Sequence, residues 1–253
     1  MLSKSNHVII LGKRFVYNTG TKLRKLVYLF FFLITLSLQG EEPKILVCVH
    51  GFMRSQRNMA RIEKAFIQEG WEVVNWSYPS RSKMIDHHAY DLAFILNRIA
   101  KKHPGSSIHF ITHSLGGLIV RAALNDPCCP EEAKHGCAVL IAPPNQGATF
   151  ARSLNRFSFF RKMMGSYAGY ELMTEEDFDH IGEFPLTKKV LVIAGNFGFN
   201  PFIKTSNDGK VAVDETFLST PHEHCIVGAG HSWITWSPKV IRIAKNYLTR
   251  TLD

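Results

Sequence analysis

The sequence predicts an α/β domain whose mostly parallel sheet has roughly six strands and is covered by helices on both faces. Short apolar runs rich in β-branched residues alternate along the chain with longer segments that carry apolar residues at helical spacing. The runs are apolar at consecutive positions, which is typical of strands buried on both faces of a parallel sheet. A chain of 253 residues is also long enough for one domain with a sizeable core.

The predicted elements follow one another from residue 44 onwards. The predicted strands span residues 44–50, 71–76, 107–112, 137–142, 190–195 and 225–228. The predicted helices span residues 58–69, 88–102 and 115–124, and a last helix begins at Pro238. Sites in such sheets form at the carboxyl ends of the strands, so a candidate residue should follow a strand rather than precede it.

Residues 150–186 interrupt this alternation. They interleave large apolar residues, mostly Phe and Met, with four basic residues. Two interpretations are open: a cap or lid insertion over the site, or a surface excursion with its own hydrophobic cluster. The mixture of aromatic and basic side chains also suits contact with an anionic membrane surface.

Residues 1–40 are predicted to be a leader that precedes a domain at 41–253. Three basic residues at 22–25 come before a mostly apolar run at 26–38, and a polar segment follows, which is typical of a secretory signal peptide. The run is shorter than the ~20 residues that span a bilayer as a helix, although an uncleaved signal anchor is the alternative. We therefore expect an exported protein, periplasmic or secreted, or one anchored to the membrane through this segment.

Composition limits the classes of partner and metal site. The formal charge of +9 lies mostly in the leader, which has six Lys or Arg and no acidic residue, so no nucleic-acid partner is expected. Cys48 and Cys225 lie in apolar runs and are predicted to be small buried residues. Cys128, Cys129 and Cys137 flank a loop, where one pair could be oxidised in an exported protein. They lack C-x-x-C spacing, so neither a metal site nor a cofactor is expected.

The sequence ITHSLGG at residues 111–117 places Ser114 where a buried strand turns into a helix. A serine nucleophile on such a turn is usually written G-x-S-x-G, with small residues two positions before and after the serine. Gly116 fits this pattern, whereas Thr112 replaces the first glycine. The motif alone is also compatible with a serine that only caps the helix.

A second turn follows the first predicted strand, at His50-Gly51-Phe52. Acyl transfer by a serine needs backbone N–H groups that stabilise the oxyanion, and those of Phe52 and Leu115 are the candidates. His50 itself is predicted to be structural, because it ends the first strand.

These pieces resemble the α/β-hydrolase superfamily, and specifically small bacterial lipases and esterases. The resemblance rests on VCVHGF at 47–52, ITHSLGGLIVR at 111–121, APPNQG at 142–147, NDGKVAVDET at 207–216 and GAGHSWI at 228–234. The order of nucleophile, acid and base in that family implies Ser114, Asp208 and His231 in these roles. Thr112 departs from the family pattern.

The position of each candidate relative to the strands agrees with those roles. Asp208 lies in a polar turn after the fifth predicted strand, and His231 follows the sixth. Asp214 is the rival acid, although it lacks the turn sequence around Asp208. His222 and His224 are rival bases, but both precede the last predicted strand.

The expected function is hydrolysis of carboxylic esters, lipid esters among them, by a serine hydrolase that forms an acyl-enzyme. The alternatives are a thioesterase or acyltransferase with the same three residues, or a non-catalytic α/β-hydrolase-like binding protein. The expected partner is a small-molecule or lipid ester, with possible membrane contact through residues 150–186.

Overall fold

The computed structural model describes residues 43–252, which fold around a six-stranded sheet. All neighbouring strands pair in parallel, in the order β2-β1-β3-β4-β5-β6. The strands are β1 (Ile45–Val49), β2 (Glu72–Trp76), β3 (Ile108–His113), β4 (Gly136–Ile141), β5 (Lys188–Gly195) and β6 (Glu223–Val227). The predicted fold class and the number of strands are therefore confirmed.

The described residues contain eight α-helices, seven between strands and one after β6. They are α1 (Ala60–Ile67), α2 (Ile85–Lys102), α3 (Leu115–Asn125), α4 (Glu131–Lys134), α5 (Thr149–Leu154), α6 (Ser158–Met164), α7 (Ala168–Thr174) and α8 (Pro238–Leu252). Short 3-10 helices lie at Gln56–Asn58, Asp179–Ile181, Asp214–Thr216 and Ile234–Trp236.

Successive residues of each strand face opposite sides of the sheet and enter two separate cores. In β1, Ile45, Val47 and Val49 pack in one core with α2 and α3. Leu46 and Cys48 pack in the other core with α1 and α8. This alternation explains why the β1 sequence is apolar throughout, because neither of its faces meets water.

Most element boundaries differ from the predictions by one to three residues. Helix α2 begins at Ile85 rather than at residue 88, because the Glu171 carboxylate accepts the Ile85 N–H at 2.8 Å. That acceptor lies 86 residues away, so no local pattern reveals it. Strand β6 begins at Glu223, two residues early, which places His224 within the strand.

Residues 150–186 contain α5 (except its first residue), α6, α7 and one of the 3-10 helices. Met164, Ala168, Leu172 and Phe178 belong to the same hydrophobic core as β1, α2 and α3. The segment is therefore packed onto the main body of the domain rather than around a private cluster. Whether it moves as a lid stays a prediction.

The predicted leader at residues 1–40 lies outside the described residues. From residue 43 to residue 252, no helix is both long and apolar enough to cross a membrane. All five cysteines are described, and all carry free thiols. Cys48 is fully buried as predicted, and burial raises the pKa of its thiol, whereas Cys225 is only partly buried.

His88 is a fully buried histidine of α2, and neither of its ring nitrogens has a hydrogen-bond partner among the described residues. Its ring meets the edge of Tyr78 at a centroid distance of 4.9 Å. Burial lowers the pKa of His88 from 6.5 to about 4, an effect that Lys83 reinforces and Asp91 opposes. The folded protein therefore holds this imidazole neutral at pH values where the unfolded chain protonates it.

We expect the free energy of unfolding to fall as the pH drops from 6.5 towards 4. The unfolded chain gains a proton at His88 that the folded chain does not accept, which costs up to about 1.4 kcal/mol per pH unit. Urea unfolding between pH 7.5 and pH 5.0 measures this dependence. His88→Leu should reduce the slope, whereas His87→Leu, at an exposed neighbour, should leave it unchanged. Equal slopes in both variants would contradict the prediction.

Candidate active site

Ser114 occupies a tight turn between β3 and α3. Its backbone has φ 51° and ψ −124°, a conformation that residues other than glycine rarely adopt. The turn is held on both sides, because the Ser114 N–H donates to the Ile141 carbonyl at 2.8 Å and the Gly117 N–H donates to the Ser114 carbonyl at 2.9 Å. This strained strand-to-helix turn has the form of a nucleophile elbow.

Gly116 allows α3 to approach the end of β1 closely. A Cβ at this position would lie 2.5 Å from the Val49 carbonyl oxygen and 2.8 Å from that of His50. Both neighbours are backbone atoms of the central sheet, so they cannot turn aside as a side chain would. The elbow therefore depends on glycine at residue 116 for space.

Gly116→Ala is expected to lower the free energy of unfolding by at least about 3 kcal/mol, at or above the upper end of typical overpacking effects, because the new methyl group collides with backbone. Urea unfolding followed by circular dichroism measures the change. Gly228→Ala is the matched control, since a Cβ there has no neighbour within 4 Å. Equal stability of the two variants would show that the elbow can shift to admit a side chain.

Thr112, which departs from the family pattern, is accommodated by a second glycine. The Thr112 side chain is fully buried, and its Oγ1 lies 3.3 Å from the position that a Cβ of Gly117 would take. Pro143 Cβ lies 3.2 Å from the same position. Because Gly117 has no side chain, the threonine fits under the first turn of α3.

Asp208 and His231 form a buried pair. The carboxylate Oδ2 lies 2.7 Å from His231 Nδ1. The other oxygen, Oδ1, accepts the backbone N–H groups of Lys210 at 3.0 Å and Val211 at 2.8 Å. The His231 N–H donates in turn to the Asp208 carbonyl at 2.9 Å. Because an ionised carboxylate only accepts hydrogen bonds, Nδ1 carries the proton and Nε2 is left to accept one.

Ser114 and His231 both line one cavity of about 280 Å³. Most of its wall is apolar, and the segment 150–186 supplies much of that wall. Its lining includes Phe52, Met53, Pro144, Ala148, Phe150, Ala151, Leu154, Phe160, Met163, Met164, Leu172 and Val211. Three short helices that the sequence pattern did not predict therefore shape the site.

The two predicted oxyanion-hole donors lie beside Ser114. Leu115 is the first residue of α3, and Phe52 lies in the turn after β1. No acceptor among the described residues takes the N–H of either one, whereas the neighbouring Met53 N–H donates to Ser80 Oγ at 2.9 Å. Neither N–H group is thus committed to a hydrogen bond within residues 43–252.

Two further histidines, His50 and His113, are buried next to the site residues. His50 is buried and stacks on Tyr78 at a centroid distance of 4.2 Å, and the Tyr78 hydroxyl donates to the His50 carbonyl at 2.7 Å. His113 Nε2 donates to the His231 carbonyl at 3.1 Å, and burial holds the pKa of His113 well below 6.5. His113 therefore acts as a neutral donor that fixes the backbone of His231.

The rival acid and bases lie away from the cavity. Asp214 is exposed in a 3-10 helix, and the His224 Nε2 pairs instead with Thr216 Oγ1 at 2.8 Å. His222 Nδ1 lies 2.8 Å from the Thr220 carbonyl. Residues 43–252 contain no group of three metal-ligating side chains.

Sequence reasoning missed Glu215, a buried carboxylate that connects the Asp208 loop to the cavity wall. One oxygen accepts the Thr149 N–H at 2.5 Å, and the other accepts the Ala212 N–H at 2.8 Å. The bond to Thr149 joins residues 66 positions apart, so no local pattern reveals it. The position of Glu215 in the NDGKVAVDET segment is the one sequence signal that could have identified this residue.

Comparison with known families decides the identity of this fold. Residues 40–177 match the family described as serine aminopeptidase, S33. The chain belongs to the S33 family. This S33 protein is thus an α/β-hydrolase, as the sequence motifs predicted, and the match includes β1, the elbow and the three helices of the cavity wall.

Solved structures of esterases and lipases share the fold of this S33 protein. The lipase BlEst2 of Bacillus licheniformis aligns in its propeptide form with a TM-score of 0.71 and 18% identity, over 83% of this chain and 51% of that chain. Its mature form gives 0.65 and 16%, over 83% and 93%. The Pyrococcus furiosus esterase Pf2001 gives 0.57 and 19%, over 85% of both chains. A comparison with curated proteins yields no match.

Proposed function

We propose that this S33 protein is a serine hydrolase that cleaves carboxylic esters, with Ser114 as nucleophile, His231 as base and Asp208 as the orienting acid. The observation that carries the proposal is the buried 2.7 Å contact between Asp208 and His231, at a cavity shared with a serine in a strained turn. A purely structural serine would not need that backbone strain.

The reaction follows from this arrangement. His231 Nε2 accepts the Ser114 Oγ proton while Oγ attacks the acyl carbon, and the N–H groups of Phe52 and Leu115 stabilise the oxyanion. The carbon–oxygen ester bond then breaks, and His231 donates the proton to the leaving alcohol. A water molecule, deprotonated by His231, attacks the acyl-enzyme and releases the carboxylic acid and free Ser114.

The apolar wall suits the acyl half of a lipidic ester. Each methylene group transferred from water to such a wall contributes about 0.8 kcal/mol to binding. The residues that line the cavity include Arg54 and Lys210 but neither Asp nor Glu. The α-ammonium group of an aminopeptidase substrate would meet two cations and no carboxylate there, which favours esters over peptides.

A panel of substrates tests the proposal. The purified protein is incubated with p-nitrophenyl esters of increasing chain length, with the matching thioesters and with aminoacyl p-nitroanilides. Ester turnover that increases with chain length is expected. Turnover of thioesters alone would support the thioesterase alternative, and turnover of anilides alone would overturn the proposal.

We propose in addition that the leader directs export or anchoring and that residues 150–186 contact an anionic membrane. In α6, Phe159 is 70% exposed and stands three residues before the exposed Lys162, so an aromatic and a basic side chain share one face of this helix. Phe159→Glu is expected to reduce co-sedimentation with phosphatidylglycerol vesicles several-fold. Phe94→Glu, at an exposed phenylalanine of α2, is the control. Equal binding of both variants would exclude α6 as the contact.

A further inference from the structure

Two basic side chains, Arg54 and Lys210, line the otherwise apolar cavity beside Ser114. Arg54 follows the turn after β1, and Lys210 follows Asp208 in the loop between β5 and β6. They thus approach the nucleophile from separate elements of the chain. Neither side chain has a role in the proposed ester chemistry.

The charges of Arg54 and Lys210 act on each other's surroundings and on a common neighbour, His113. Burial, and then the charge of Arg54, lower the pKa of Lys210. Both cations also contribute to the low pKa of His113, whose main cause is burial. Since His113 immediately precedes Ser114, the positive potential of both side chains extends to the reacting serine.

The second observation concerns the partners of Arg54 and Lys210. Within residues 43–252, neither side chain forms an ion pair or a hydrogen bond. The carboxylate that acts on Lys210 is Asp208, but its oxygens are taken by His231 and two backbone N–H groups. An anion from outside the chain would therefore displace no ion pair of either side chain.

Arg54 also borders a second groove, of about 450 Å³, that shares this side chain with the cavity. Arg57, Ser232, Trp233 and Trp236 line the groove, so it is more polar than the cavity. An amphiphilic ester bound at Ser114 has an apolar acyl half and a polar alcohol half. The apolar cavity matches the acyl half, and the more polar groove matches the alcohol half.

We propose that the alcohol half of the substrate carries a phosphate-class anion, held by Arg54 and Lys210 while the acyl chain fills the apolar cavity. This inference rests on the proposed function, because it assigns a substrate class to the same site. Charge-assisted hydrogen bonds from guanidinium and ammonium groups are the usual means of binding such anions.

The test compares 1-hexanoylglycerol with 1-hexanoylglycerol 3-phosphate, which differ only in the phosphate group. The wild-type protein is expected to prefer the phosphate ester by at least about 10-fold in kcat/KM, since each charged hydrogen bond contributes about 1.5–3 kcal/mol. Arg54→Gln and Lys210→Gln should each reduce this ratio by about 10-fold or more. Lys204→Gln, at an exposed lysine of the same loop that does not line the cavity, should retain it.

Several results would overturn the inference and leave ester hydrolysis intact: equal kcat/KM for the two esters, or a ratio that Arg54→Gln and Lys210→Gln do not change. If neither ester is cleaved, the proposed function fails first. Calorimetry then measures the binding of both esters to Ser114→Ala. Tighter binding of the phosphate ester, lost when Arg54→Gln is added, supports the anion site. Equal binding of the two esters refutes it.

Discussion

Ser114→Ala is expected to lower kcat/KM for p-nitrophenyl esters by at least about 10⁴-fold and to abolish labelling by a fluorophosphonate. The alanine removes the oxygen that would form the acyl-enzyme and leaves the Asp208–His231 pair in place. Spontaneous attack by water, aided by the oxyanion donors, is the only remaining route. Ester hydrolysis by the purified variant and gel-based detection of the probe measure the loss.

Ser55→Ala provides the matched control for this variant. Ser55 is exposed near the same cavity, and its side chain makes no capping hydrogen bond. It should retain full labelling and turnover. Labelling that persists in Ser114→Ala but disappears in another serine variant would place the nucleophile elsewhere.

Asp208→Asn is expected to lower kcat by about 10³- to 10⁴-fold while the fold is retained. Two backbone N–H groups point at the Oδ1 position, so the amide oxygen of asparagine must occupy it. The amide NH₂ then faces His231 Nδ1, which must become an acceptor. The imidazole proton moves to Nε2, so the ring can no longer accept the Ser114 proton.

Asp214→Asn is the control that tests whether the loss in Asp208→Asn comes only from removing a negative charge from this loop. Asp214 lies six residues along the same segment and is exposed, so its variant should stay within about 2-fold of wild type. Circular dichroism of both variants checks the fold. A large loss in Asp214→Asn together with an active Asp208→Asn would reverse the assignment of the acid.

The fold was predictable because its signals are local. The strand sequences of β1 and β4 are apolar at every position, and the helix after Ser114 begins directly at the elbow. The helices of the cavity wall were not predictable, since α5 and α6 have six and seven residues and are too short for a clear period. Their positions are set by packing onto the main core.

The site, like the fold, has one part that the sequence predicts and another that it does not. Ser114, Asp208 and His231 each follow a strand, so their position at one edge of the sheet could be inferred from the order of elements. Arg54 and Lys210 could not be singled out, because a basic residue on a loop has no distinctive pattern. Their meaning depends on a cavity lining that contains neither Asp nor Glu, which only the folded arrangement of the described residues shows.

The contact between Thr112 and Gly117 has a consequence for how nucleophile elbows are recognised in sequences. The two residues compete for one small volume beneath the first turn of the helix, so the steric requirement applies to their combined size. A glycine two positions before the serine is one solution, and a threonine there with glycine three positions after the serine is another. A motif that treats each position independently rejects the second solution, whereas one that scores the pair accepts both.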